Sequence, residues 1–239
     1  MNLAEYPLFS GLSEQAVNEL ASTGKVRNLA KGETLFSHGE PVKNFYIVAS
    51  GILKLYRINV DGKSKIIEIL KAGQTICENE IMDSCKCHRM SAEAVEDVKI
   101  FEFPVNWLKE SVKKHPDFAL NLLSLIANKM YLAEIEMEHQ ATMSAPQLVA
   151  CFLQRIAVLH DFDPKSFELP YSKTLIASRL GMEGETFSRT LAKLKDHGIL
   201  VSGSHVAIND LDKIEQYLCD FCSIADDCST HKAIAKKLS

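Results

Sequence analysis

Five glycines constrain most strongly what the first half of this chain can fold into. Gly32, Gly39, Gly51, Gly62 and Gly73 follow one another at intervals of 7, 12, 11 and 11 residues. Each stands in a turn-like setting such as Lys31-Gly32-Glu33 or Asp61-Gly62-Lys63. Glycine enters positive φ without a steric penalty, which tight hairpin turns require. Around them lie short runs rich in β-branched and aromatic residues: Phe45-Tyr46-Ile47-Val48, Ile52-Leu53-Lys54-Leu55-Tyr56, Ile66-Ile67-Glu68-Ile69-Leu70 and Ile100-Phe101-Glu102-Phe103. Short strands at that spacing predict a β-sandwich or barrel from about Val26 to Phe103.

Helical patterns flank it. Ser13 caps a short helix ending near residue 22. Pro104 closes the β-region, and residues 105–115 suit another short helix. From Pro116 a long helix is expected to about Thr142. Along it Leu123, Ile126, Met130, Ala133 and Met137 alternate steps of three and four, the seam one helix presents to another. Phe118, Leu122, Leu125 and Leu132 form a neighbouring stripe suited to packing on the β-domain. Ser144-Ala145-Pro146 marks a hinge and a new helix to His160, and residues 161–170, with two prolines, read as a linker. Ser172 caps a short helix that stops at Gly181. A further helix runs from about Gly184 to His197. Ile199-Leu200-Val201 and His205-Val206-Ala207-Ile208 then form a hairpin. This order is that of a winged helix-turn-helix.

The helix after Gly184 has two faces. Phe187, Leu191 and Leu194 suit burial, while Glu185, Ser188, Arg189, Ala192 and Lys193 lie opposite. Arginine can fork onto guanine O6 and N7, and glutamate accepts from cytosine N4. Thr186, Lys193, Lys173 and His205 are further candidate DNA contacts. The whole-chain charge of −4 is the wrong scale for judging this. Residues 171–205 hold five basic residues, Arg179 among them, against three acidic ones. That local excess suits a protein that depends on specific contacts more than on non-specific phosphate binding.

The seven cysteines are an odd number and form no disulfide framework; with no signal peptide and no uninterrupted apolar run of spanning length, a cytoplasmic chain without membrane association is expected. Cys219-x-x-Cys222-x5-Cys228 groups three thiols, a pattern suited to zinc or an iron–sulfur cluster. His231 or Glu138 is a possible further ligand, as are Glu134, Glu136 and His139. Cys77, Cys85, Cys87 and His88 form a second group of open role, and Cys151 reads as core.

Leu175-Ile176-Ala177-Ser178-Arg179-Leu180-Gly181-Met182, followed by Glu185-Thr186-Phe187-Ser188-Arg189 and Lys195-Asp196-His197-Gly198-Ile199-Leu200, resembles the Crp/Fnr superfamily of bacterial transcription regulators. The resemblance implies an α+β homodimer that is not an enzyme. Its expected parts are a β-roll effector domain (1–115), a dimerisation helix (116–142), a winged helix-turn-helix DNA-binding domain (146–218) and a Cys-containing tail (219–239). Glu185, Ser188 and Arg189 are similar to the fumarate-nitrate and nitric-oxide-responsive branch, implying TTGAT-like half-sites on double-stranded DNA, with RNA polymerase as a partner if the protein activates. The family's effector pocket maps onto Cys77, Glu78, Cys85, Cys87 and Arg89. Cyclic AMP is not expected there, because Cys77 stands where a glycine would admit phosphate and no Arg-Ser-Ala triplet follows. Within the family an iron–sulfur cluster held by Cys219, Cys222 and Cys228 is the favoured cofactor. Haem, zinc and a thiol-redox switch are the alternatives. A thiol oxidoreductase built on Cys219-x-x-Cys222 and a cyclic-nucleotide module without DNA binding are readings from other classes.

Overall fold

The structure, a computed structural model, describes residues 3–82, 86–219, 222, 224 and 228–238, with the side chains of Glu215, Cys219, His231, Ala235, Lys237 and Leu238 excepted. Two compact units divide the chain between Met130 and Tyr131. The division falls inside one continuous helix.

In the first unit, α1 (Glu14–Ser22) is capped by Ser13, whose side chain accepts from the Ala16 N–H as its position requires. Eight strands follow: β1 (Lys25–Leu29), β2 (Thr34–Phe36), β3 (Asn44–Ser50), β4 (Leu53–Ile58), β5 (Ser64–Leu70), β6 (Thr75–Ile76), β7 (Ser91–Ala94) and β8 (Val98–Pro104), with α2 (Glu78–Met82) between β6 and β7. They make two antiparallel four-stranded sheets, ordered β1-β8-β3-β6 and β2-β7-β4-β5. Leu29, Phe45, Ile47, Ile100 and Phe103 of one sheet share a core with Leu53, Leu55, Leu70 and Ala92 of the other. All five turn glycines have positive φ. At Gly51 the requirement is also steric, because a Cβ would lie 2.3 Å from the Asp97 carbonyl oxygen.

α3 (Val105–Lys114) and the first half of α4 (Pro116–Thr142) close this core. Trp107 stacks on Phe103 at 4.0 Å between ring centroids and meets Phe118 edge-on. Its indole N–H donates to the Leu20 carbonyl at 3.0 Å, satisfying the one polar atom the ring buries.

The second unit contains the end of α4, then α5 (Ala145–Leu159), β9 (Ser166–Glu168), α6 (Lys173–Arg179), α7 (Gly184–Leu194), β10 (Ile199–Ser202), β11 (His205–Ile208), α8 (Leu211–Cys219) and α9 (Ser229–Leu238). Ser172 caps α6 by accepting from the Leu175 N–H. A left-handed Gly198 ends the turn after α7. The segment 161–170 is not simply a linker. Phe167 is buried in β9, which pairs with β11 to give the wing a third strand.

Candidate DNA-reading face and sensor sites

α6 and α7 form the helix-turn-helix. On α7, Phe187, Thr190, Leu191 and Leu194 are buried, and Glu185, Thr186, Ser188, Arg189, Ala192 and Lys193 are exposed. The polar face is therefore free of packing duties. Ser188 and Thr190 return their hydroxyl protons to the Gly184 and Thr186 carbonyls at 2.9 and 2.8 Å. Arg189 pairs with Glu185 one turn earlier at 3.0 Å, and both side chains stay exposed. Lys173 starts α6, and His205 stands exposed on the wing, its Nδ1 3.1 Å from Glu168 Oε1. The Ser204 hydroxyl, and His205 after it, hold the Glu168 carboxyl below the usual range.

Arg179 departs from the sequence reading of local charge. Both its terminal nitrogens donate to the Glu136 carboxylate on α4, one at 2.6 Å, and both side chains are largely buried. The guanidinium is committed inside the unit, which halves the basic excess counted over residues 171–205.

On α4, Leu123, Met130, Ala133 and Met137 are exposed. Ile126 is half-buried and packs against the β-unit core. Phe118 and Leu122 are fully buried, as the inner stripe requires, but Leu132 is 45% exposed and belongs to the outer face. The helix has a mean hydropathy of 1.2 over 18 residues, enough by length and composition to cross a membrane. That face is also what a partner helix would cover.

A cavity of about 330 Å³ opens in the first unit, lined among others by Cys77, Glu78, Arg89, Phe36, Arg57, Glu68, Thr75 and Lys129. Of the predicted effector residues, Cys77, Glu78 and Arg89 line it. Cys87 is exposed and bridged to Pro41 instead, and Cys85 lies outside the described residues. Cys77 keeps a glycine-like φ of 77°, so the backbone turn survives the loss of glycine. Its thiol is buried 3.5 Å from His88 Nδ1, and burial pushes its pKa far above the usual range. That is the opposite of a reactive thiolate. His88 stacks on Phe36 at 3.6 Å between centroids, and burial lowers its pKa to about 4.

The residue that sequence reasoning missed is Lys129. From α4 its ammonium donates to the buried Glu78 carboxylate and, at 2.9 Å, to the Thr75 carbonyl. Burial works to lower the Lys129 pKa, but Glu78, Glu68 and Glu80 outweigh it and hold the pKa above the usual value. Glu78 Oε2 and Thr75 Oγ1 are buried with no hydrogen-bond partner.

The third cluster is in the second unit. Buried His139 has Cys222 Sγ 3.5 Å from Nε2 and Cys151 Sγ 3.9 Å from Nδ1. Burial, then Arg155, lowers its pKa, and burial pushes the Cys151 thiol up to about 11 and raises Cys222 as well. Cys151, read from sequence as plain core, therefore touches an imidazole. The Cys219 and His231 side chains lie outside the described residues. Among those described, no three His, Cys, Asp or Glu side chains already stand in a metal-holding group. The chemistry of the donor set, thiols and a neutral imidazole, fits a thiophilic metal.

Together these features define a two-module regulator, a cyclic-nucleotide-binding fold followed by a winged DNA-reading domain. Residues 26–115 match the cyclic nucleotide-binding domain family and residues 147–217 the Crp-like helix-turn-helix domain family. The chain belongs to the Crp/Fnr superfamily and is a DNA-binding transcription regulator. It is 27% identical to the anaerobic regulatory protein of Pasteurella multocida over 84% of this chain and 74% of that one. It is 25% identical to the fumarate and nitrate reduction regulatory protein of Escherichia coli over 86% and 83%. FixK2 from Bradyrhizobium japonicum shares the fold, with a TM-score of 0.70 at 23% identity over 81% of this chain and 96% of that one.

Proposed function

We propose that this protein is a homodimeric regulator that reads a TTGAT-like palindrome. Glu185, Ser188 and Arg189 reach base edges in the major groove. Thr186, Lys193, Lys173 and His205 are the supporting contacts. The observation that carries this is the clean division of α7. Its apolar side is used up in packing, and its forked cation and acceptors stand exposed near the helix N-terminus, the end that meets bases in helix-turn-helix proteins. The exposed α4 residues Leu123, Met130, Ala133 and Met137, with Ile126, are the dimer seam. Two half-sites then lie one helical turn apart, about 34 Å. Its place of action is the cytoplasm.

Its activity is gated at the tail thiols Cys222 and Cys228, with Cys219, through a bound metal. Of the cofactors the sequence left open, the grouping of three thiols, Cys219, Cys222 and Cys228, supports the metal–thiolate classes, iron–sulfur or zinc. A metal held there would tie the tail to the rest of its unit.

Gel-shift titration on a TTGAT-type palindrome tests the reading, with a scrambled duplex as reference and sedimentation to count protomers. Preference for the palindrome by a dimer supports it. Equal affinity for both duplexes overturns the DNA assignment, and a monomer on DNA overturns the seam.

A further inference from the structure

We infer that His139, at the end of α4, is the imidazole ligand of a single thiophilic cation held with Cys222 and Cys228, and that Cys151 orients its ring. This deepens the reading of the tail as a metal–thiolate centre and rests on it. Four observations support it. First, His139 is buried and both its ring nitrogens face sulfur. A ligating imidazole characteristically uses its second nitrogen to fix its tautomer and orientation, and that partner is often as important as a ligand. Cys151 stands in that place.

Second, the spacing fits one ion. Tetrahedral zinc takes sulfur at about 2.3 Å and nitrogen at about 2.0–2.1 Å, so two such ligands stand about 3.5 Å apart. Cys222 Sγ and His139 Nε2 are 3.5 Å apart. A four-iron cluster held by four thiolates gives each iron one protein ligand, which sets its donors further apart than this.

Third, Cys228 is near enough to act electrostatically on both Cys222 and Cys151. It is therefore the thiol that a cation would draw in. Fourth, the Cys-x-x-Cys spacing offers Cys219 as the remaining donor by sequence alone. Two donors are placed at hydrogen-bonding distance, so metal uptake would join the tail thiols to α4 through His139.

Full-length protein, purified without oxygen and stripped with a chelator, is titrated with cobalt(II), which reports tetrahedral thiolate and imidazole ligation by its absorption. One equivalent per protomer with such a spectrum is expected, displaced by zinc. His139→Ala is expected to weaken uptake at least about tenfold, and Cys151→Ser to weaken it less. His139→Cys restores a donor and is expected to regain tight binding with a more sulfur-rich spectrum, which separates lost ligation from a lost fold. Cobalt uptake indifferent to His139→Ala, or an iron–sulfur chromophore retained in that variant, overturns the assignment of His139. No uptake by any form overturns the metal–thiolate reading itself. DNA binding, followed separately by gel shift, identifies a failure of the reading face.

Discussion

Lys129→Met is expected to destabilise the β-unit severely, because it strands a carboxylate that has nowhere else to turn. Glu78 is 2% exposed, and its Oε2 has no hydrogen-bond partner even in the intact protein. The Lys129 ammonium is its counter-charge and also caps the Thr75 carbonyl. Removing one partner of a buried pair costs about 3–5 kcal/mol, whereas removing both can be close to neutral. Methionine keeps most of the stem, so packing loss is small. Glu78→Gln should cost less, about 1–2 kcal/mol, since the Lys129 side chain is 27% exposed and its ammonium can reach water. The double variant should then be more stable than Lys129→Met alone, with a coupling of about 2–3 kcal/mol. Trp107 is the only tryptophan and sits in this unit's core, so its fluorescence follows the β-unit even if the second unit unfolds separately. With a urea slope of about 2–3 kcal/mol per molar, the upper part of the usual range, the Lys129→Met midpoint should drop by about 1–2.5 M. A Lys129→Met midpoint within experimental scatter of the parent at neutral pH would refute the reasoning.

Three further outcomes follow from the geometry. Arg189→Ala should weaken binding to the TTGAT-type palindrome by about 1–3 kcal/mol per half-site, read by gel shift, while thermal melting stays put because an exposed i,i+4 pair is worth only about 0.5 kcal/mol. Arg179→Met should do the reverse: it should cost about 1–3 kcal/mol of stability through the unpaired Glu136 yet leave the dependence of DNA affinity on salt unchanged. The third concerns pH. The folded state holds His88 near 4 while the unfolded chain titrates near the ordinary 6.5, so its contribution is intact above about 6.5 and is lost as pH falls toward 4. The loss is at most about 3 kcal/mol. Urea midpoints measured across that range should fall in the parent and flatten in His88→Phe.

How much of this could be read from sequence differs by element. The glycine turns, the Ser13 and Ser172 caps and the two faces of α7 are local features, and local steric and hydrogen-bonding rules suffice to find them. β9 was hidden because its three residues lie among prolines and aspartates that read as loop, and only pairing with β11 makes them a strand. Leu132 was placed on the inner stripe because helical spacing cannot say where packing stops. Lys129 with Glu78, Glu136 with Arg179 and His139 with Cys151 and Cys222 join residues from separate elements, so no periodicity announces them. For Lys129 the only hint was a lone charge among apolar turns of α4; Glu136 and His139 stood together among the candidate ligands of the tail thiols, and nothing in the sequence separated the one that pairs with Arg179 from the one that meets sulfur.

The commitments of α4's last turns bear on chimera construction. Arg179 finds its carboxylate at Glu136, and Cys151 finds its imidazole at His139. A fusion junction at residue 146, the first residue of the helix-turn-helix segment as sequence delimits it, would carry Arg179 into a new host largely buried and without its counter-charge. A junction before Tyr131 keeps both attachments. The transplantable reading head is thus longer than its DNA-contacting motif, and swaps between regulators should be cut inside the long helix.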